Sequence, residues 1–253
     1  MGIVTTLANP TRFLNLSAIV LPITVGLGVV FTLGGLYATF FLAPEDYQQG
    51  QTVRIMFIHV PSAWLAMFTY SLMALSAIGT LVWKHPLADV SAKAAAPLGA
   101  AFALLTLITG SLWGKPTWGT WWIWDARLTS VLVLFLMYLG LIALWNVIEE
   151  PTKAAKATAV MILIGFINIP IIKFSVDWWN TLHQPASVFR LEGPSIHLDI
   201  FIPLIVMAIA FTCIFISLHL TAMRNEIMHR RIRAYQSRAA INASSKRSSK
   251  TAG

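Results

Sequence analysis

Six stretches of 16 or more residues in this 253-residue chain contain no Asp, Glu, Lys or Arg: 13–44, 55–83, 94–114, 128–148, 157–172 and 200–223. An ionised side chain at mid-bilayer costs about 3 kcal/mol even on the lenient insertion scale, and a helix needs about 20 apolar residues to cross the hydrocarbon. The windows therefore predict an all-α integral membrane protein with six transmembrane helices, spanning approximately 17–41, 56–82, 94–113, 129–148, 157–175 and 200–222. Composition agrees: 11% of residues are charged and 57% hydrophobic, whereas roughly a quarter of a soluble domain is charged. Residues 1–253 are expected to form a single bundle. The fifth window is the shortest, but Lys156 and Lys173 can snorkel from its ends and Phe174 to Val176 can lengthen it.

The first window follows Arg12 and exceeds the ~7–15-residue core of a cleavable leader, so it reads as a retained helix. Lys and Arg counts orient the bundle. One side holds Arg12, Lys84, Lys93, Lys153, Lys156 and eight cations of the tail; the other holds Arg54, Lys115, Arg127, Lys173 and Arg190. By the positive-inside rule both termini are cytoplasmic. Residues 224–253 form a basic cytoplasmic tail, ending in SSKRSSK, that reads as a solvated, partly disordered anchor to anionic lipid. The net charge of +8 resides mostly there and does not argue for nucleic acid. There is no GxxxxGK[ST] phosphate cradle on the cytoplasmic side; Gly114-Lys115-Pro116 lacks the hydroxyl and lies on the opposite face. Any nucleotide-driven work falls to another subunit. The one cysteine, Cys213, sits in an apolar run, which excludes a disulfide framework, a CxxC pair and a CxxCH attachment site.

Residues 113–130, WGKPTWGTWWIWDARLTS, contain five of the ten tryptophans: Trp113, Trp118, Trp121, Trp122 and Trp124, beside Asp125 and Arg127. The segment is too polar to span and too aromatic to sit in water, so it belongs at the membrane surface on the outer side. If it is a short surface helix, Trp118, Trp121, Trp122 and Asp125 share one face at i, i+3, i+4, i+7. An interfacial belt explains one or two tryptophans; five in twelve positions, with two charges, favour a shelf that covers a flat ligand. Arg127 and Arg54 are cations suited to carboxylates, and Asp125 is suited to orienting Arg127 or accepting from indole and backbone N–H groups.

Of the six histidines, His85, His219 and His229 fall in or beside cytoplasmic segments, where solvation or a helix-end interaction is the ordinary role. His59, His183 and His197 fall on the outer side. His59 lies about seven residues into the second span, at roughly 10 Å depth, beside Pro61, which should kink or open the helix. A histidine in a span is either a functional group or a packed polar residue. Two outer imidazoles flanking an aromatic shelf can supply both axial nitrogens to a metal macrocycle, of which haem is the prime case.

The text EDYQQG (45–50), RIMFIHVPSAW (54–64), ITGSLWGKPTWGTWWIWDARLTS (108–130) and NIPIIKFSVDWWNTLHQ (168–184) resembles the tryptophan-rich, WWD-motif haem-handling family. Within it, the chain is similar to haem exporter protein C of the cytochrome c maturation system over nearly its whole length. The resemblance implies that His59 and His183 are the axial ligands of haem b. The tryptophan segment with Asp125 is its binding shelf, Arg54 and Arg127 pair with its propionates, and His197 has no such role. It further implies a protein that is not an enzyme and lies in the bacterial cell inner membrane. Its partners are then a membrane-anchored haem chaperone, an ATP-binding-cassette subunit with its membrane subunit, and a small single-span membrane protein. A b-type electron-transfer cytochrome and a structural assembly subunit without ligand are the competing readings.

Overall fold

A computed structural model describes residues 9–184, 187, 188, 190 and 193–251. Seven α-helices make six crossings: α1 Pro10–Tyr37, α2 Met56–Val82, α3 Pro86–Trp118, α4 Ala126–Val147, α5 Pro151–Gly165, α6 Asn168–Trp178 and α7 Leu198–Thr251. No strand occurs among the described residues. Six helical segments are long and apolar enough to cross a membrane, and the chain is a multi-pass membrane protein. Helix starts follow from local chemistry. Pro10, Pro86 and Pro151 occupy first-turn positions where a missing N–H costs nothing, and Asn9 accepts from the Thr11 amide at 2.9 Å.

The fifth crossing is two helices, not one. The chain breaks between Gly165 and Asn168, and the crossing runs from Pro151 to Trp178. Tyr70 and Met137 press so close to Gly165 that a Cβ there would collide with both. Beyond the break, the Asn168 amide donates to the Ser130 carbonyl at 2.9 Å, tying α6 to α4. The short fifth window reflects this: two shorter helices joined across the bundle share one crossing.

The core sits between α2, α3, α4 and α5, where Tyr70, Met73, Ala95, Ala103, Leu134 and Tyr138 are fully or almost fully buried. Small residues on α2 and α3 set how near those helices lie, as expected where both helices and lipid are apolar and close packing decides association. Tyr138 lies over Gly99 and donates to the Ala66 carbonyl at 2.7 Å. Helix α1 packs chiefly on α7, and its remaining surface is exposed and apolar, as suits a lipid-facing helix.

Two expectations from the sequence change at the end of the bundle that carries the tail. His219 is buried inside the bundle rather than solvated, its ring stacked on Phe215 and its Nε2 3.2 Å from Ser91 Oγ. It lies on the side of α7 that faces α3, and flanking charges alone could not reveal that. The tail is also not loose where it begins. Met223 and Ile227 are buried with Leu87, Val90 and Ala94, Lys93 pairs with Glu226 at 3.0 Å, and Arg230 bridges Glu226 and Asp89. Arg224 donates to the Leu14 carbonyl and Ser17 Oγ, both at 2.7 Å. Helix α7 continues unbroken to Thr251, so residues 224–251 of the segment read as a partly disordered anchor are a helical extension of the last span. His85 accepts from the Leu87 amide at 3.3 Å as an N-cap of α3, and His229 is exposed; both are as expected.

Gly99→Ala is expected to force the Tyr138 ring off its seat. Overpacking of this kind costs about 1–3 kcal/mol, which should lower the thermal midpoint of the detergent-solubilised protein, whereas Gly140→Ala, where a Cβ meets nothing within 4 Å, should leave it unchanged.

Candidate functional site

At the end of the bundle opposite the tail, a cavity of about 440 Å³ lies between α2, α3, α4 and α6, lined also by Gln49, Trp122, His183, Gln184, Ser187, Val188 and Ile196 from the connections at that end. That volume falls in the range of small-molecule and cofactor sites. Its floor is apolar, with Met67, Val131 and Leu134, and its mouth is polar, with Gln49, Arg127, Lys173, Asp177 and His183.

His59 is the fourth residue of α2, after a 3₁₀ turn over Gln51–Ile55. Helix α2 runs through Pro61 without interruption. Of the two outcomes expected at Pro61, a kink or an opening, the continuous helix shows that it does not open beside His59. The imidazole is buried and lines the cavity. Its Nδ1 lies 3.0 Å from Thr109 Oγ1 of α3, and its ring meets Trp113 edge-on at 5.6 Å. Gly110 makes this approach possible: a Cβ there would lie 3.0 Å from His59 Cε1. The glycine pair Gly110 and Gly114 thus admits rings, since Gly114 in turn receives Trp118.

His183 comes from the loop after α6 and lines the same cavity, half-buried. Its Nδ1 is 2.9 Å from the Gln184 carbonyl. A carbonyl only accepts, so Nδ1 carries the proton and Nε2 holds the lone pair. Desolvation holds this imidazole below its ordinary pKa and Arg127 pushes the same way, against the Gln184 carbonyl and Asp125; the ring is neutral at pH 7. His59 and His183 lie within electrostatic reach of each other and of Arg127.

The tryptophan segment is not a surface helix. Helix α3 ends at Trp118, Gly119 turns the chain at φ +76°, and residues 119–125 are irregular until Asp125 caps α4. A left-handed residue ends the α-helical register, so Trp118, Trp121, Trp122 and Asp125 do not share a helical face. Trp113, Trp118 and Trp122 line the cavity; Trp121 and Trp124 do not, and are 55% and 76% exposed. Trp122 packs edge-on against Trp124 at 5.4 Å. Its indole N–H is buried and has no partner among the described residues. Asp125 spends one oxygen on the Leu128 amide at 2.7 Å, while the other is buried and unpartnered among the described residues.

Arg127 lines the cavity, with Nε donating to Ser175 Oγ at 2.9 Å and one terminal nitrogen to the Lys173 carbonyl at 3.3 Å. These bonds lash the start of α4 to α6. Arg54 is not at the cavity; its guanidinium lies 5.8 Å over the Phe40 ring. His197 is also elsewhere: it is exposed, and its Nδ1 faces the Asp199 amide at 3.4 Å at the start of α7. Three residues that the sequence reading passed over belong to the site. Gln49 accepts the Trp113 indole N–H at 2.6 Å, Thr109 holds His59, and Lys173 adds a cation at the mouth. Thr106, Thr109, Gly110 and Trp113 recur at helical spacing along α3, a polar and aromatic stripe inside a charge-free run that marks a wall facing something other than lipid.

Comparison with known proteins places this arrangement among relatives. The family model described as Heme exporter protein C matches residues 3–238. A Heme exporter protein C of Bradyrhizobium diazoefficiens is 65% identical over 230 residues, covering 91% of this chain and 87% of that protein. The Heme exporter protein C of Escherichia coli K12 is 47% identical over 182 residues, 72% of this chain and 74% of that one. A putative cytochrome c biosynthesis ccmC-like mitochondrial protein of Marchantia polymorpha is 45% identical over 205 residues, 81% and 87% of the two chains.

The Gln49–Trp113 bond fastens the 43–55 connection to the cavity wall. Gln49→Leu should leave the indole N–H without its acceptor at a cost of about 1–3 kcal/mol, and hydrogen exchange in residues 43–55 should quicken while that of α5 stays as it was.

Proposed function

From the premise that this chain belongs to the Heme exporter protein C family, whose members handle haem in cytochrome c maturation, we propose that it binds haem b between His59 and His183. In this reading the site lies at the outer face of the bacterial inner membrane, with both termini cytoplasmic. The protein holds haem there and delivers it to a membrane-anchored haem chaperone. It catalyses no reaction itself and works within a delivery complex with an ATP-binding-cassette subunit, that subunit's membrane partner and a small single-span protein.

The observation that carries the ligand assignment is the pairing of two imidazoles on one cavity. His183 presents an unprotonated Nε2, and His59 lines the same cavity from α2 with its Nδ1 already engaged. Neutral imidazole nitrogens are common axial ligands of haem iron. The lining suits the rest of the molecule: the apolar floor and Trp113, Trp118 and Trp122 accept a porphyrin face. Arg127 and Lys173 stand at the mouth as cations for propionates, and the Trp122 N–H, buried and without a partner among the described residues, is a further donor on the cavity lining. Arg54 gives way to Lys173 in this role, because its guanidinium lies over Phe40.

Delivery, as opposed to storage, is supported by the position of one ligand. His59 is fixed in a buried helix, whereas His183 sits in a half-buried loop. Surface connections open at far lower cost than packed helices, so one axial bond can be released while the other holds. The exposed Trp121 and Trp124 beside the cavity leave an apolar edge that a partner can cover.

Purified in mild detergent without the chaperone and exposed to ferric haem, the protein should develop a Soret band with bis-histidine character. His59→Ala and His183→Ala should each weaken haem retention on the order of tenfold or more or change the ligation spectrum, and His197→Ala should do neither. An equal loss from His197→Ala would refute the ligand assignment. Reversible redox cycling with no transfer to added chaperone would favour an electron-transfer cytochrome.

A further inference from the structure

The hydroxyl of Thr109 has a single proton and two claims on its oxygen. Oγ1 lies 2.6 Å from the Leu105 carbonyl one turn back on α3, and 3.3 Å from the Thr106 carbonyl. Both are acceptors only, so the proton goes to them, mainly to Leu105, as threonines inside helices commonly bond. What remains on the side of α2 is a lone pair, and that side faces His59 Nδ1 at 3.0 Å. Nδ1 must then be the protonated nitrogen. A neutral imidazole carries one N–H, so Nε2 of His59 is left bare.

We propose that Thr109 is a positioning residue that fixes the tautomer and ring orientation of His59, so that Nε2 is the nitrogen offered to the cavity. The inference rests on the reading of His59 as a haem ligand and adds a residue that the sequence analysis did not single out. The geometry around it is consistent. Gly110, next in the chain, has no side chain where His59 Cε1 comes closest, and Trp113, four residues beyond Thr109, closes on the ring edge. One turn of α3 thereby contacts the imidazole with a hydroxyl, a bare backbone and an indole. Donation from Nδ1 also makes the ring a stronger donor at Nε2, as outer hydrogen bonds do for metal-bound histidines. His183 achieves the same tautomer through its own neighbour, the Gln184 carbonyl. The two ligands differ in what supplies the close acceptor: for His59 a side chain on another helix, with the Thr106 carbonyl of that helix also in reach, and for His183 the adjacent backbone. Only the first can be removed by substitution.

The test uses the full-length protein in detergent, titrated with ferric haem, with the Soret spectrum, haem affinity and midpoint potential measured together. Thr109→Val keeps the shape and removes the hydroxyl acceptor, leaving only the Thr106 carbonyl within reach of the imidazole. It should weaken haem binding by about 10–100-fold, the usual cost of losing such a partner, raise the midpoint potential and perturb the bis-histidine spectrum. Thr109→Ser should restore all three. Thr158→Val removes a like back-bond, to the Ala154 carbonyl at 2.7 Å in α5 away from the cavity, and should change none of them. In a His59→Ala background, Thr109→Val should have no further effect. A Thr109→Val protein indistinguishable from wild type while His59→Ala is impaired overturns this inference alone. Equal damage in Thr109→Ser overturns it too, since packing and not the hydroxyl would then matter. If His59→Ala itself binds haem as wild type does, it is the ligand reading that fails.

Discussion

The close approach of α2 and α3 governs what the rest of this protein can do. It is set at both ends of the antiparallel pair by glycine. At one end a Cβ on Gly79 would lie 3.1 Å from Ala88 Cβ; at the other a Cβ on Gly110 would lie 3.0 Å from His59. Between them Ala66, Ala74 and Ala77 of α2 are buried with Ala92, Ala95, Ala96 and Ala103 of α3. In a bilayer no hydrophobic force draws two apolar helices together, and small side chains that let backbones near one another are what makes the contact favourable. The consequence at the cavity is chemical. Only at this separation does the Thr109 hydroxyl reach His59, so the packing that stabilises the pair also orients the imidazole.

The remaining helices complete the cavity around that pair. Arg127 fastens α4 to α6 through Ser175 and the Lys173 carbonyl, and Gln49 fastens the 43–55 connection to Trp113. At the far end, the Asp89, Lys93, Glu226 and Arg230 network holds α7 to α3. The wall that carries His59 is thus clamped at both ends, whereas His183 hangs from a loop. A site built of one rigid and one looser ligand can both hold a macrocycle and part with it, which a pocket with both ligands on buried helices would do poorly.

Much of this was legible from charge alone. Charge-free windows gave six crossings because the cost of an ionised group in hydrocarbon leaves few alternatives, and the same map put His59 and His183 on one side. The details that were not legible depend on neighbours distant in sequence. The fifth crossing divides next to Gly165, where Tyr70, almost a hundred residues earlier, leaves no room for a side chain. His219 is buried because α7 presents it to Ser91. The tryptophan segment keeps its aromatic character but loses the helical spacing assigned to it, since the left-handed turn at Gly119 outweighs a favourable i, i+3, i+4 pattern. Arg54, assigned by its side of the membrane alone, lies with its guanidinium over the Phe40 ring, a contact that charge patterning does not reveal.

Ligation of haem iron by His59 and His183 is tested most directly by a structure of the haem-loaded protein in detergent or nanodisc. It should show density for a porphyrin in the cavity between α2, α3, α4 and α6, with iron at bonding distance from Nε2 of both His59 and His183 and Nδ1 of His59 on Thr109. Haem seated elsewhere in the bundle, or iron ligated by neither or only one of these nitrogens, would contradict it.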